Sequence, residues 1–167
     1  MSQPQMTRQV SVLLDALTDQ RGHVLGILEG LSDEALRRAV LPSGWTCLGM
    51  IQHLALDVER LWFRAVMAGE QVDLSSGADA WDVAPDVSAE SVFDLYRGEI
   101  ERANAIITAT PLEAPPAWWP ADRFGSWRMD DLQQVIMHVI TETACHAGHL
   151  DAVRELLDGR KWLVNTD

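Results

Sequence analysis

The chain has 167 residues, 47% of them hydrophobic, a formal net charge of −12 and two cysteines. The length suits one core-bearing domain over residues 1–167. No run nears the ~18 apolar residues of a membrane span, and so acidic a chain with no basic tract is a poor binder of nucleic-acid backbone.

Cys47 and Cys145 do not make a disulfide framework, and the opening MSQPQMTRQV lacks a basic region followed by an apolar stretch. A cytoplasmic location is therefore the expectation, with a small molecule rather than nucleic acid or membrane as partner. Seven tryptophans in this length point to a bulky core, an aromatic pocket or both.

Residues Thr7 to Leu28 read as the first helix, with Val10, Leu13, Leu14, Leu17, Val24, Leu25 and Leu28 on one face. His23 falls off that face and reads as exposed, which sets it aside as a ligand. Gly30 ends the helix, and Ser32-Asp33-Glu34 opens a short turn through Arg38 with acids at its positive end. After the turn residues Leu41 to Trp45, Thr46 is the expected N-cap of a second long helix, Cys47 to Ala68, with Gly69 behind it. Its apolar face carries Cys47, Met50, Ile51, Leu54, Val58, Leu61, Trp62 and Ala65. His53 stands at the border of that face, a surface or half-buried histidine by periodicity alone, and Asp57 and Arg60 lie on its polar side.

Glu70 to Val87 is polar, contains Gly and Pro, and is long enough to cross the molecule; Trp81 is its natural anchor. Ser88 caps a third helix, Ala89 to about Ala109, whose apolar arc includes Glu99. That carboxylate reads as lying at a wet face or paired with an arginine. Residues 110–128, TPLEAPPAWWPADRFGSWR, hold four prolines and three tryptophans, which argues for an ordered loop without helix. It is either a hydrophobic strap closing one end of the helices or a pocket wall carrying Trp118, Trp119 and Trp127.

The fourth helix, Asp130 to Asp158 with Gly159 behind it, has Leu132, Val135, Ile136, Val139, Ile140, Leu150, Val153 and Leu157 at helical spacing. At roughly 100° per residue, Glu142, His146 and His149 fall within the same arc and are expected to face the core. Polar groups there cost a few kcal/mol unless partnered, by a metal ion or by a hydrogen-bond network. Glu142 and His146 stand one turn apart and can reach one cation; His53 is the best third donor from another helix. Both cysteines read as small buried hydrophobes, since Cys145 projects away from His146. Lys161-Trp162-Leu163-Val164 is expected to fold back against the helices. Four long amphipathic helices and no strand pattern give an all-α four-helix bundle.

Two segments make the sequence familiar. PSGWTCLGMIQHLALDVERLWF, from Pro42 to Phe63, resembles the second-helix signature of the DinB/YfiT-like superfamily of metalloenzymes, and ETACHAGHLDAVRE, from Glu142 to Glu155, resembles its fourth-helix motif. The resemblance implies an up-down-down-up bundle, often a homodimer, with a divalent metal such as Zn²⁺ or Ni²⁺ on His53, Glu142 and His146. Glutamate at the middle ligand position is known in mycothiol-dependent members. His149 departs from the common motif, which leaves it either behind the ligands or a rival to Glu142. Characterised relatives move a low-molecular-weight thiol such as mycothiol. The resemblance thus implies a thiol transferase acting on an electrophilic small molecule. His149, Asp57 and Arg60 are the candidates for orienting ligands or moving a proton, and Trp45, Trp118, Trp119 and Trp127 for contacting the cofactor. The same metal could activate water for hydrolysis. A ligand-sensing bundle without turnover and a metal-free dimerisation module are the rival readings.

Overall fold

The computed structural model describes residues 7–74 and 80–162. Every regular element among them is helical, and no helix is long and apolar enough to cross a membrane. In chain order they are α1 (Arg8–Leu28), α2 (Asp33–Leu36), α3 (Cys47–His53), a π-helical segment (Leu54–Met67) continuing α3, α4 (Ala89–Ala109), α5 (Ala121–Phe124) and α6 (Leu132–Asp158).

The helices start where short polar side chains can take up free backbone N–H groups. Thr7, Ser32, Thr46, Ser88 and Asp131 each accept from the N–H three residues on. At the far end of α6, Gly159 takes the left-handed conformation (φ 81°) and its N–H donates to Glu155 O.

α1 packs chiefly on α6, and the π segment chiefly on α4. Between them lies a core that includes Leu17, Ile27, Met50, Phe63, Ile136 and Leu150, all essentially inaccessible to solvent. Removing such a side chain from water stabilises the fold by about 1.5–3 kcal/mol apiece.

Four features depart from the sequence expectation. The second long helix leaves α-helical bonding at His53: Ala68 N–H, for instance, donates to Phe63 O, five residues back. Apolar spacing does not separate the two registers. The wider turn lets Val58-Glu59, Leu61-Trp62-Phe63 and Ala65-Val66-Met67 all be buried, between α4 on one side and α6 on another. Second, residues 110–128 are not free of helix, because α5 follows Pro120 as a single turn. Third, His23 is half-buried: it meets Asp151 at 2.8 Å and stacks on Trp162 at 4.8 Å. Fourth, Cys145 is exposed, while Cys47 is buried as expected. At about 100° per residue Cys145 lies far round α6 from the buried Ala147 and Leu150, which leaves it on an exposed side.

Trp162 does fold back, over Gly26 of α1, while Leu163 and Val164 lie outside the described residues. Glu99 is paired as the sequence allowed, accepting from Arg60 and Arg64 in a buried position.

Candidate metal and substrate site

α3 and α6 bring two imidazoles together. The rings of His53 and His146 lie 5.1 Å apart, edge to face, although one closes α3 and the other sits midway along α6. His53 Nδ1 is 3.1 Å from Asp57 Oδ2, one turn further on. An imidazole donating from Nδ1 to that carboxylate is held in the tautomer that keeps the Nε2 lone pair for a ligand. His146 Nε2 is 3.6 Å from Glu142 Oε2. Its Nδ1 is buried with no hydrogen-bond partner among the described residues.

Burial pushes the His146 imidazolium down to about 4, helped by the neighbouring His53 and His149. A histidine held neutral is a histidine able to ligate.

Beside these groups opens a cleft of ≈ 460 Å³. His53, Asp57, His138 and Glu142 line one part of it; Trp62, Phe124 and Trp127 form the aromatic part, with Arg123 at the wall. Phe124 stacks on Trp62 at 5.4 Å, and Trp127 stands edge-on to the same indole at 6.0 Å. Trp127 is 45% exposed, a large apolar surface left at a cleft that already holds polar groups. That combination of apolar walls and a few convergent polar groups is what small-molecule sites share.

A family model described as mycothiol-S-transferase matches residues 12–159. The chain belongs to the mycothiol-S-transferase family, within the DinB/YfiT-like superfamily. No curated protein matches it. The match runs from the first turns of α1 through Gly159, so α2 to α6, the cleft and both imidazoles fall within the family's span.

Within that family frame, the other residues singled out from sequence distribute unevenly. Asp57 is in the cleft, on His53. Arg60 points elsewhere: its guanidinium bonds Glu99 at 2.8–2.9 Å, sharing that carboxylate with Arg64. His149 is exposed, 5.6 Å from the His146 ring and 6.3 Å from Trp45. Trp45 lines a separate recess with Trp81 and Asp82. Trp119 backs the aromatic wall against Trp62 and Trp127, and Arg128 lies over its ring. Trp118 is exposed, and its N–H donates to Val66 O.

Facing of α6 is also less uniform than the arc suggested. At about 100° per residue Glu142 and His149 lie some 40° and 60° to the same side of His146, and both are open where His146 is covered. His138 belongs to that same stripe, four residues before Glu142, and sequence reading passed over it. The signal was the ladder His138-Glu142-His146 at successive spacings of four, of which only the second step was used. Its ring meets Trp62 at 4.8 Å and Trp127 at 5.5 Å. Burial lowers its proton affinity, partly offset by Glu142.

The residues able to hold a divalent ion are His53, Glu142 and His146. Their donor types suit zinc or nickel, and the partnerless buried nitrogen of His146 is the kind of group a ligand satisfies. Among the described residues no three His, Cys, Asp or Glu side chains already converge on one metal position. The donors are adjacent without being closed around a point.

Proposed function

We propose that this mycothiol-S-transferase family member is a divalent-metal-dependent transferase that joins a mycothiol-type thiol to an electrophilic small molecule. Its frame is a four-helix bundle of up-down-down-up order formed by α1, α3 with its π extension, α4 and α6. One observation carries the reading: His53 and His146 meet at 5.1 Å beside a cleft that also presents Glu142, His138 and an aromatic wall.

His53, Glu142 and His146 would hold the metal, with Asp57 fixing the tautomer of His53. When bound there, a divalent ion with open positions would supply the positive charge that lowers a thiol's pKa. His138, kept neutral by its surroundings, takes the thiol proton. The thiolate sulfur then bonds to the electrophilic carbon as that carbon's bond to a leaving group, strained ring or double-bond partner breaks, and the departing electron pair takes up the proton held by His138. Trp62, Phe124 and Trp127 hold the electrophile against that sulfur and keep water from competing.

Elemental analysis of metal-replete protein tests this first, beside His53→Ala and His146→Ala. About one divalent ion per chain, lost in both variants, supports the site; metal-free wild type sinks it. The loaded protein is then assayed for loss of free thiol when mycothiol meets an electrophile.

The unconverged donors favour one second reading, a ligand-binding bundle of the same fold without turnover. It separates from the first by binding thiol or electrophile with no product formed.

A further inference from the structure

Segment Ala80-Trp81-Asp82 lies over the end of α3, and three independent contacts hold it there. Gln52 Nε2 donates to the carbonyl oxygens of Ala80 and Asp82, each at 3.2 Å, and so grips the backbone on both sides of Trp81. Gly49 makes room for it: a Cβ at that position would collide with the carbonyl oxygen of Trp81. The indole of Trp81 stacks on the His53 ring, centroids 4.1 Å apart and 16° from parallel. It also stands edge-on to His146 at 6.1 Å. Ala80 is fully buried, which anchors the segment's start.

We propose that Trp81, held by Gln52 and by the clearance at Gly49, is the positioning residue that fixes the His53 ring plane for ligation. This rests on the metal-site reading given above. Asp57 restrains His53 through a single edge nitrogen, which leaves the ring free to swing about that contact. A stacked indole removes that freedom, because an imidazole pressed flat against a broad ring cannot rotate without losing the contact. Gln52 and Gly49 lie on the same α3 turns that end in His53, so one short helix sets both the ligand and the clamp upon it.

Proton NMR of the metal-free protein tests the clamp apart from the metal. His53→Gln assigns the His53 ring resonance among the five histidines. In wild type that resonance is displaced upfield by the indole. It moves downfield in Trp81→Ala and in Gly49→Ala, the latter leaving every site side chain intact, and stays displaced in Trp81→Phe.

Zn²⁺ titration of the same proteins reads positioning: affinity falls about 10- to 100-fold in Trp81→Ala and Gly49→Ala and recovers in Trp81→Phe. A His53 resonance unmoved by both substitutions overturns the clamp. A resonance that moves while Zn²⁺ affinity stays within twofold overturns positioning and leaves only packing. Wild type that takes up no Zn²⁺ sinks the metal reading and, with it, the positioning role, while the resonance still decides whether Trp81 holds the ring. Thermal melts of the apo variants guard against simple loss of fold, and Gln52→Ala supplies a milder second lesion.

Discussion

Arg21 of α1 and Glu59 of the π segment form a two-pronged ion pair deep in the protein: Nε and Nη2 donate to the two carboxylate oxygens at 2.7 and 2.6 Å, and both side chains are almost wholly buried. The same guanidinium also donates to Asn104 of α4 at 2.8 Å, so one cation ties three helices together. Burial pushes the Glu59 carboxyl up, with Arg21 opposing.

A pair of this kind costs much to break and little to replace whole. Glu59→Ala is expected to destabilise the protein by about 3–5 kcal/mol, because Arg21 is left charged and unpaired. The joint change Arg21→Met with Glu59→Leu is expected to recover most of that loss. Urea denaturation of Arg21→Met, Glu59→Leu and the double gives the comparison; additive losses would refute the pairing.

Acid should weaken the metal-free protein through His146. Its pKa is near 6.5 in the unfolded chain and about 4 when folded. The unfolded state therefore binds the proton more readily, so the contribution is fully present above pH ~6.5 and is lost as pH falls through 6.5 toward about 4. Below that, both states are protonated and the slope ends. The full effect is roughly 3 kcal/mol, and His138 adds in the same direction. His146→Gln should flatten the stability-against-pH curve over that window. An unchanged slope in His146→Gln would place the proton uptake elsewhere.

Metal removal should show in stability as well as in activity. A ligand at a hundred times its Kd adds about 2.7 kcal/mol to the folded state. Melting the protein in excess Zn²⁺ and in excess chelator should therefore reveal a clear upward shift with the ion, absent in His53→Ala. Identical melting curves would mean that the donors do not close around the ion.

On the proposed reading, the aromatic wall divides into a buried packing part and an open part that meets the electrophile. Trp62 is buried, so Trp62→Ala should cost about 3–5 kcal/mol of stability. Trp127 is half open at the cleft mouth. Trp127→Ala should leave the melting temperature nearly unchanged and raise KM for the electrophile roughly five- to tenfold, the size of one lost aromatic contact of about 1 kcal/mol. Equal stability losses in both variants would make the wall packing alone.

Much of this frame was legible from local chemistry. Thr46 and Ser88 announced helix starts because a hydroxyl before an apolar period has N–H groups to satisfy; an aspartate announced the last helix too, read as Asp130 where the cap is Asp131, and Gly159 announced its end because it can turn left-handed. His53, Glu142 and His146 were legible as a group only because a turn-by-turn spacing and a motif coincide. What stayed hidden depends on the partner helix. Arg21 gives no sign of its buried pairing until Glu59 is placed opposite it, and Arg60, a candidate for orienting ligands or moving a proton, proves to be taken up by Glu99. Trp81 lies well apart from His53 in a polar connection, and no periodicity joins the two. The π register escapes too, since the residues that bury it would also satisfy an α-helix.

The two thiols provide a sharp check on the placement of α6. Burial pushes the Cys47 thiol up to about 11, against a smaller lowering by Arg154, so it is both inaccessible and protonated. Cys145 is exposed on the side of α6 away from the core. A disulfide reagent such as Ellman's should therefore release one equivalent from the native protein and a second only after denaturation. Cys145→Ser should abolish the native equivalent and leave metal content unchanged, because its side chain projects about 100° away from His146. Release of two equivalents from folded protein would show that α3 opens, and with it the turn that carries His53. No native release would mean that Cys145 is covered, as a second copy of the chain packed on α6 would cover it.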